Sequence, residues 1–302
     1  MRSLFLYLSR QRHLRRWVET SGLAQRLSSR FVAGQTLEDA LRVGRRINSE
    51  GISLTLDHLG ESVTSLAEAS QARDVYLHAL ETIHANSVRG NVSLKLTQFG
   101  LDLSASECRK NVARLAESAA ALGSFVRVDM ESSEYTDRTL ELVEDLHSSY
   151  GCIGTVIQAY LYRSRKDIER LCARQIRVRL CKGAYLEPES VAFPRKSEVD
   201  RNFIDLMKLL LDAGAYPAIA THDERMIEQA EAYAAQKGID REHFEFQMLY
   251  GIRRDLQRRL VADGYRLRLY VPFGKAWYPY LMRRLAERPA NLFFLARHFF
   301  RQ

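Results

Sequence analysis

Eight short apolar runs recur along the chain, at residues 52–58, 92–97, 125–130, 153–159, 176–182, 216–221, 244–249 and 267–271. Segments with apolar residues at helical spacing fill the gaps, roughly 62–85, 105–122, 135–149, 164–173, 197–213, 223–236 and 252–263. In the second of these, Val112, Leu115, Ala116, Ala119 and Leu122 mark one face of a 3.6-residue period. Eight strands alternating with helices over about 240 residues meet the requirement of a (β/α)8 barrel, which takes about 250. A doubly wound sheet also alternates, but no GxGxxG follows the first strand to support one. The sequence therefore predicts an α/β fold of the TIM-barrel type. Residues 1–50 form a helical N-terminal arm, with a helix over 36–49 capped by Thr36, and residues 51–302 form the barrel.

The chain has 302 residues, of which 46% are hydrophobic, enough for one large core. Prolines and glycines are scattered and no linker is visible, so a single domain is expected. Cys108, Cys152, Cys172 and Cys181 lie far apart without a CxxC pair, which indicates neither a zinc site nor a disulfide framework and fits a reducing, cytoplasmic setting. No apolar run approaches the roughly 20 residues that span a bilayer. The first residues place a short apolar patch before arginines, the wrong order for a secretory signal, and read as a basic helix. The net charge of +8 is uneven. Residues 1–30 carry seven Arg against one Glu, and residues 251–302 carry twelve Lys or Arg against three acids, so the ends hold +6 and +9 and the middle −7. Basic ends around an acidic body argue against a nucleic-acid channel and suit an anionic ligand at one end, an anionic membrane surface, or nothing beyond solubility.

In a barrel of this type chemistry gathers where strands end. The polar residues closing the runs are Asp57 and Glu61, Lys95 and Gln98, Asp129 and Glu131, Gln158, Arg179 and Lys182, Thr221 with His222 and Asp223, Gln247, and Tyr270. Lys95 either pairs with a barrel carboxylate, Asp57 or Asp129, or binds an anion or forms a Schiff base. Arg179 and Lys182 place two cations beside Gly183, where backbone can approach a phosphate or flavin. Asp223 suits the cap of the next helix. No second histidine stands near His222 in a ligand pattern, and no GxSxG elbow is present. Cys181 reads as a packed thiol. Beyond the last strand, Pro272 and Gly274 punctuate, and a helical pattern runs through Tyr278, Leu281, Met282 and Leu285. On it, Arg283 and Arg284 are either a solvated basic face or two forks around one anion, with Glu287 a turn further on. This inventory of cations, a few carboxylates, Gln and Tyr describes a site for an anionic substrate with little general acid–base equipment. It fits a reaction whose hard step belongs to a cofactor, such as hydride transfer to flavin. The alternatives are a Schiff-base aldolase using Lys95 or Lys182 and a non-enzymatic anion-binding protein.

The stretches SLKLTQFG, VDMESSEYTD, VIQAYL, RVRLCKGAYLE, ATHD, EFQMLYG and LYVPFGKAWYPYLMRRLAERPAN, in this order, resemble the flavin-dependent proline dehydrogenases of the monofunctional bacterial kind over about residues 54–291. The resemblance implies oxidation of L-proline to 1-pyrroline-5-carboxylate with FAD as acceptor, and re-oxidation by a membrane quinone. It assigns Lys95, Arg283 and Arg284 to the proline carboxylate, with Asp129 supporting Lys95. Tyr185, Leu249, Tyr270 and Ala184 pack the pyrrolidine ring. Arg179 stands by the flavin N5, Gln158 by the ring system, and Met130 contacts flavin through its backbone. Lys182, Gly183, Ala184, Thr221 and His222 hold the ribityl chain, pyrophosphate and adenosine, with Glu287 on the cofactor side. Glu61 is implied as a gate pairing with Arg283. Leu186 stands where some members carry an aromatic residue on adenine. No metal is implied. Quinone use implies peripheral contact with the inner face of the cytoplasmic membrane, through the basic N-terminus or the apolar tail 291–300. 1-Pyrroline-5-carboxylate dehydrogenase is the implied pathway partner. For Arg283 and Arg284 to reach the site, the last helix must cross over the carboxyl ends of the strands.

Overall fold

The computed structural model describes residues 29–60, 63–278 and 280. Eight parallel strands close into a barrel in sequence order, β1 Ser53–His58, β2 Gly90–Leu94, β3 Val126–Val128, β4 Ile153–Gln158, β5 Val178–Cys181, β6 Ala218–Ala220, β7 Glu245–Leu249 and β8 Leu267–Phe273. β8 pairs with β1 to complete the ring. The helices are α1 Leu37–Ser49, α2 Leu66–Ala85, α3 Ala105–Ala121, α4 Thr136–Tyr150, α5 Ser164–Ala173, α6 Lys196–Ala213, α7 Glu224–Lys237 and α8 Arg254–Ala262. Parallel neighbours need a crossover of a dozen or more residues, and α2 to α8 supply the seven crossovers.

Local signals start these helices where the sequence places them. Thr36 accepts the Asp39 backbone N–H at 3.2 Å while the Asp39 carboxylate accepts that of Thr36 at 3.4 Å, a capping box at the head of α1. Ser65 and Ser104 cap α2 and α3 by accepting the backbone N–H of Glu68 and Glu107. Asp223 occupies the N-cap position of α7, but its carboxylate makes no cap bond and instead reaches Lys182. The expected cap is therefore a position without its hydrogen bond, because a cation lies within reach. β8 also runs two residues beyond the expected stop. Pro272 lies inside it, paired with Asp57, and its carbonyl accepts from Ala33 at 2.8 Å. Proline lacks only the N–H, so an end position in a strand tolerates it.

α1 packs against both β1 and β8. Arg45 reaches Asn86 at the end of α2, and Arg46 donates to Tyr250 ahead of α8. α1 thus fills the outer-wall seat between α8 and α2, where a helix following β8 would otherwise lie. Gly274 instead turns the chain with φ +125°, and a Cβ there would meet the Leu59 carbonyl at 3.1 Å. That contact puts the turn over the end of β1, and Trp277, Tyr278 and Tyr280 follow as buried residues. The expected crossing of the last helix over the strand ends falls outside the described residues. Among those described, no helix is long and apolar enough to cross a membrane.

Candidate active site

Alternate strand residues face opposite ways. One set, with Leu54, Leu56, Val92, Leu94, Val126 and Val128, is apolar and fully buried in the core. The other set is polar, and its members meet one another across the barrel. Barrel interiors more often hold branched apolar residues, so these polar groups must find partners or leave costly orphans.

They do so in two layers. In the lower one, both carboxylate oxygens of Glu245 accept from Arg268 Nε, at 2.8 and 3.1 Å. Arg268 NH1 also reaches the Leu54 carbonyl at 3.0 Å and Asn91 Oδ1 at 3.2 Å. Arg127 donates to the carbonyls of Thr155 and Arg177. Burial, with Arg179 and Arg268 nearby, pulls its pKa well below the arginine norm, while Glu245 works the other way. Burial raises the Glu245 pKa, but Arg268 and the hydrogen bonds outweigh it and leave the group below its ordinary value.

Asp129, just past β3, organises the upper layer. Its Oδ1 accepts from Ser93 Oγ at 2.5 Å and from Arg179 NH1 at 2.8 Å. Its Oδ2 accepts from the Tyr270 hydroxyl at 2.7 Å and lies 4.0 Å from Lys95 Nζ. Burial opposes the charge, yet Arg179 and Lys95 hold the carboxyl below the usual range. Tyr270 is pushed far up by burial and by Asp129, so it stays a neutral donor, and its ring lies 5.1 Å from the Arg179 guanidinium carbon. Lys95 pairs with both candidate carboxylates, with Asp57 closer at 3.4 Å. Burial lowers its pKa, but Asp57 and Asp129 more than reverse this, so it remains an ammonium. A Schiff-base lysine needs the opposite shift. Lys95 therefore suits an anion contact and not an aldolase nucleophile.

Around the rim, Lys182 is held by Asp200 at 2.6 Å and Asp223 at 2.8 Å, and Lys196 also pairs with Asp200. Two ammoniums against two carboxylates leave this corner neutral, with Lys182 offering a directed N–H. Gln158 bridges two loops, giving its amide N–H to the Glu131 carbonyl at 2.9 Å and taking that of Ala184 at 3.2 Å. A Cβ at Gly183 (φ +127°) would strike the Tyr160 ring at 2.4 Å, so packing against Tyr160 already requires this glycine. His222 Nε2 accepts the Leu249 backbone N–H at 2.9 Å, which puts the ring proton on Nδ1 and ties the rim of β6 to that of β7. Thr221 is buried, and its hydroxyl accepts from Asp223. Met130 is buried beside Asp129, Tyr185 is half-buried on the rim, and Leu186 is exposed.

The structure thus gathers Lys95, Asp129, Arg179 and Tyr270 into one cluster at the strand ends, ringed by Gln158, Lys182, Gly183, Ala184, Tyr185, Thr221, His222 and Leu249. Glu61, Arg283, Arg284 and Glu287 lie outside the described residues. Sequence reasoning missed Ser93 and Glu245, and it noted Asp57 as a strand-end residue and as a partner for Lys95. A signal was available, because residues two or four positions before a rim residue share its face: Asn91 and Ser93 precede Lys95, Arg127 precedes Asp129, and Arg268 precedes Tyr270.

The carboxylates Asp129, Asp200, Asp223 and Glu245 all have folded pKa values below their ordinary ones. Each contributes stability that is present above the unfolded pKa, near 4, and lost as pH falls through the folded value. Glu131, raised by burial, acts in the opposite sense but is one group. Urea unfolding should therefore give a falling midpoint as pH drops below about 4. A midpoint unchanged between pH 5 and 3 would contradict these shifts.

The family model for proline dehydrogenase matches residues 40–297 of this chain. Proline dehydrogenase 2 of Bacillus subtilis is 40% identical over 293 residues, covering 97% of this chain and 96% of that protein. The chain belongs to the proline dehydrogenase family. A proline dehydrogenase of Deinococcus radiodurans is 41% identical over 278 residues, 89% of this chain and 88% of that one. Among solved structures, proline utilization A from Bdellovibrio bacteriovorus, inactivated by N-propargylglycine, superposes with a TM-score of 0.82 at 27% identity. It is matched over 87% of this chain, which spans 33% of that longer protein. Membership of the proline dehydrogenase family agrees with the closed parallel barrel and with a charged cluster at its carboxyl end.

Proposed function

We propose that this chain oxidises L-proline to 1-pyrroline-5-carboxylate, with FAD as the hydride acceptor and a membrane quinone re-oxidising the flavin. The observation that carries the reading is the Asp129 cluster, which fixes Lys95, Arg179 and Tyr270 at the barrel mouth.

Chemistry of the donor set supports the cofactor. Among the described residues, Ser93, Asp129 and Gln247 each occupy one nitrogen of Arg179, leaving two of its five N–H groups for a ligand. Lys182 retains an N–H among the described residues, and Gly183 and Ala184 are exposed. FAD, when bound, supplies the acceptor for hydride. Arg179, Gln158 and Met130 would hold its ring system, and Lys182, Gly183, Ala184, Thr221 and His222 its ribityl chain, phosphates and adenosine, with Glu287 on the cofactor side.

For the substrate, Lys95 holds the carboxylate with Arg283 and Arg284 completing the clamp, while Tyr185, Leu249 and Tyr270 pack the ring and Glu61 gates entry by pairing with Arg283. Charge balance favours this division. Lys95, Arg127, Arg179 and Arg268 are matched by Asp57, Asp129, Glu131 and Glu245, so the described cluster aims donors without net positive charge. The excess charge that a carboxylate needs comes from Arg283 and Arg284. Proline must also lose its ammonium proton. Asp129, held at low pKa by Arg179 and Lys95, is a weak base, so solvent takes the proton, and nearby cations ease its release. Quinone use places the protein in the cytoplasm with peripheral contact at the inner face of the membrane. 1-Pyrroline-5-carboxylate dehydrogenase consumes the product.

Purified protein should be yellow, bleach on anaerobic addition of L-proline, and recover its absorbance with a short-chain quinone. Colourless protein, or a flavin that proline leaves oxidised, would overturn the reading. Bleaching without recovery would overturn the quinone alone.

A further inference from the structure

Gln247, on β7, belongs to neither the substrate contacts nor the cofactor contacts above. It is buried, and both ends of its amide are spoken for. Its Oε1 accepts the Nε–H of Arg179 at 2.6 Å, and its Nε2 donates to Glu245 Oε1 at 2.5 Å. An ionised carboxylate can only accept, so Glu245 dictates which way the amide faces. With the NH2 turned to Glu245, the carbonyl oxygen must face Arg179. Glu245 is itself pinned by two bonds from Arg268. A continuous path therefore runs from Arg268 through Glu245 and Gln247 to Arg179 and on to Asp129.

The three ties on Arg179 do different things. Asp129 and Ser93, at the terminal nitrogens, hold the tip of the fork. Gln247, at Nε, sets the roll of the guanidinium plane about the end of its stem. A planar group with two unspent N–H groups is useful to a ligand only if that plane is aimed. Lys95 has its own partners, Asp57 and Asp129, while the side-chain hydrogen bonds of Gln247 among the described residues go to Arg179 and Glu245.

We propose that Gln247 is the positioning residue for Arg179, with Glu245 setting the orientation of its amide. The inference rests on the proline dehydrogenase reading, in which Arg179 stands beside the flavin. It predicts a fault in the transfer step and not in substrate capture.

Gln247→Met keeps the length and removes the acceptor. It should lower the anaerobic rate of flavin reduction by proline at least about tenfold, with KM changed less than about threefold. A second readout is independent of flavin. In 15N-labelled protein the buried Arg179 Nε–H, assigned through its loss in Arg179→Lys, should exchange slowly with solvent and become fast in Gln247→Met. Gln247→Glu, holding one proton between its carboxyl and that of Glu245, restores an acceptor toward Arg179 and should regain slow exchange and most of the rate. A folded Gln247→Met protein with wild-type rate and slow exchange would overturn the inference, as would equal impairment of the Met and Glu variants. If the Met variant does not fold, fast exchange in Gln247→Glu overturns it and slow exchange supports it. Wild-type protein that proline fails to reduce removes the functional reading, while the exchange comparison still decides what holds Arg179.

Discussion

Asp129→Asn is expected to lower kcat/KM for L-proline by about a thousandfold, roughly 4 kcal/mol at about 1.36 kcal/mol per factor of ten. The carboxylate accepts on both oxygens, from Ser93 and Arg179 on one side and Tyr270 on the other. An amide has one carbonyl oxygen. With its NH2 toward Arg179 two donors face each other, and with its NH2 toward Tyr270 the hydroxyl must turn from donor to acceptor and its own proton loses its place. Two cations also lose their shared counter-charge, which frees Arg179 and Lys95 to repel each other and leave their places. Anaerobic flavin reduction across a range of proline concentrations measures the effect. A loss below about tenfold would mean that Asp129 is a bystander to the geometry.

The second large effect falls on stability. Glu245→Ala should cost about 3–5 kcal/mol of unfolding free energy, the range for breaking a buried pair from one side. Glu245 is the counter-ion of Arg268 and lies close enough to support Arg127, whose pKa is already depressed. Its removal leaves two guanidinium groups inside a closed barrel without that anion. The distance from Glu245 to the rim, through Gln247, means that folded variant protein still bleaches with proline, though more slowly. Urea unfolding of wild type, Glu245→Ala and Glu245→Gln separates the terms, since Gln retains an acceptor for Arg268 but no charge. A cost under about 1 kcal/mol for Ala would show that Arg268 finds compensation elsewhere.

Much of the barrel was readable because each run is short and each intervening segment carries a clear helical period. The helix at 164–173 matches α5 residue for residue, and α1 begins at the expected cap. The rim residues Lys95, Asp129, Arg179 and Tyr270 were also legible, since a charge at a strand end has few structural reasons to be there. The lower layer was hidden from that same filter. Glu245 opens its strand instead of closing it, and Arg127 and Arg268 lie within theirs, so all three read as ordinary strand polarity. Ser93 shares a strand face with Lys95, but nothing in the sequence shows what its hydroxyl meets. A hydroxyl becomes the link between Asp129 and Arg179 only when β2 and β5 face each other across the barrel. Pro272 misled for a simpler reason, because proline usually stops a strand, and here it takes the next-to-last position, where its carbonyl still accepts from Ala33.

The seam between β8 and β1, spanned by α1, also bears on how the protein comes into being. A nascent chain that has left the ribosome only as far as residue 266 already holds Asp129, Arg179, Gln247 and Glu245, yet it has two open sheet edges. Tyr270 and Arg268 arrive together on the strand that closes them. Until then Glu245 lacks Arg268 and Asp129 lacks Tyr270. The last strand therefore completes the cylinder and the charge pairing within it in the same event, so no partly closed form carries the finished site.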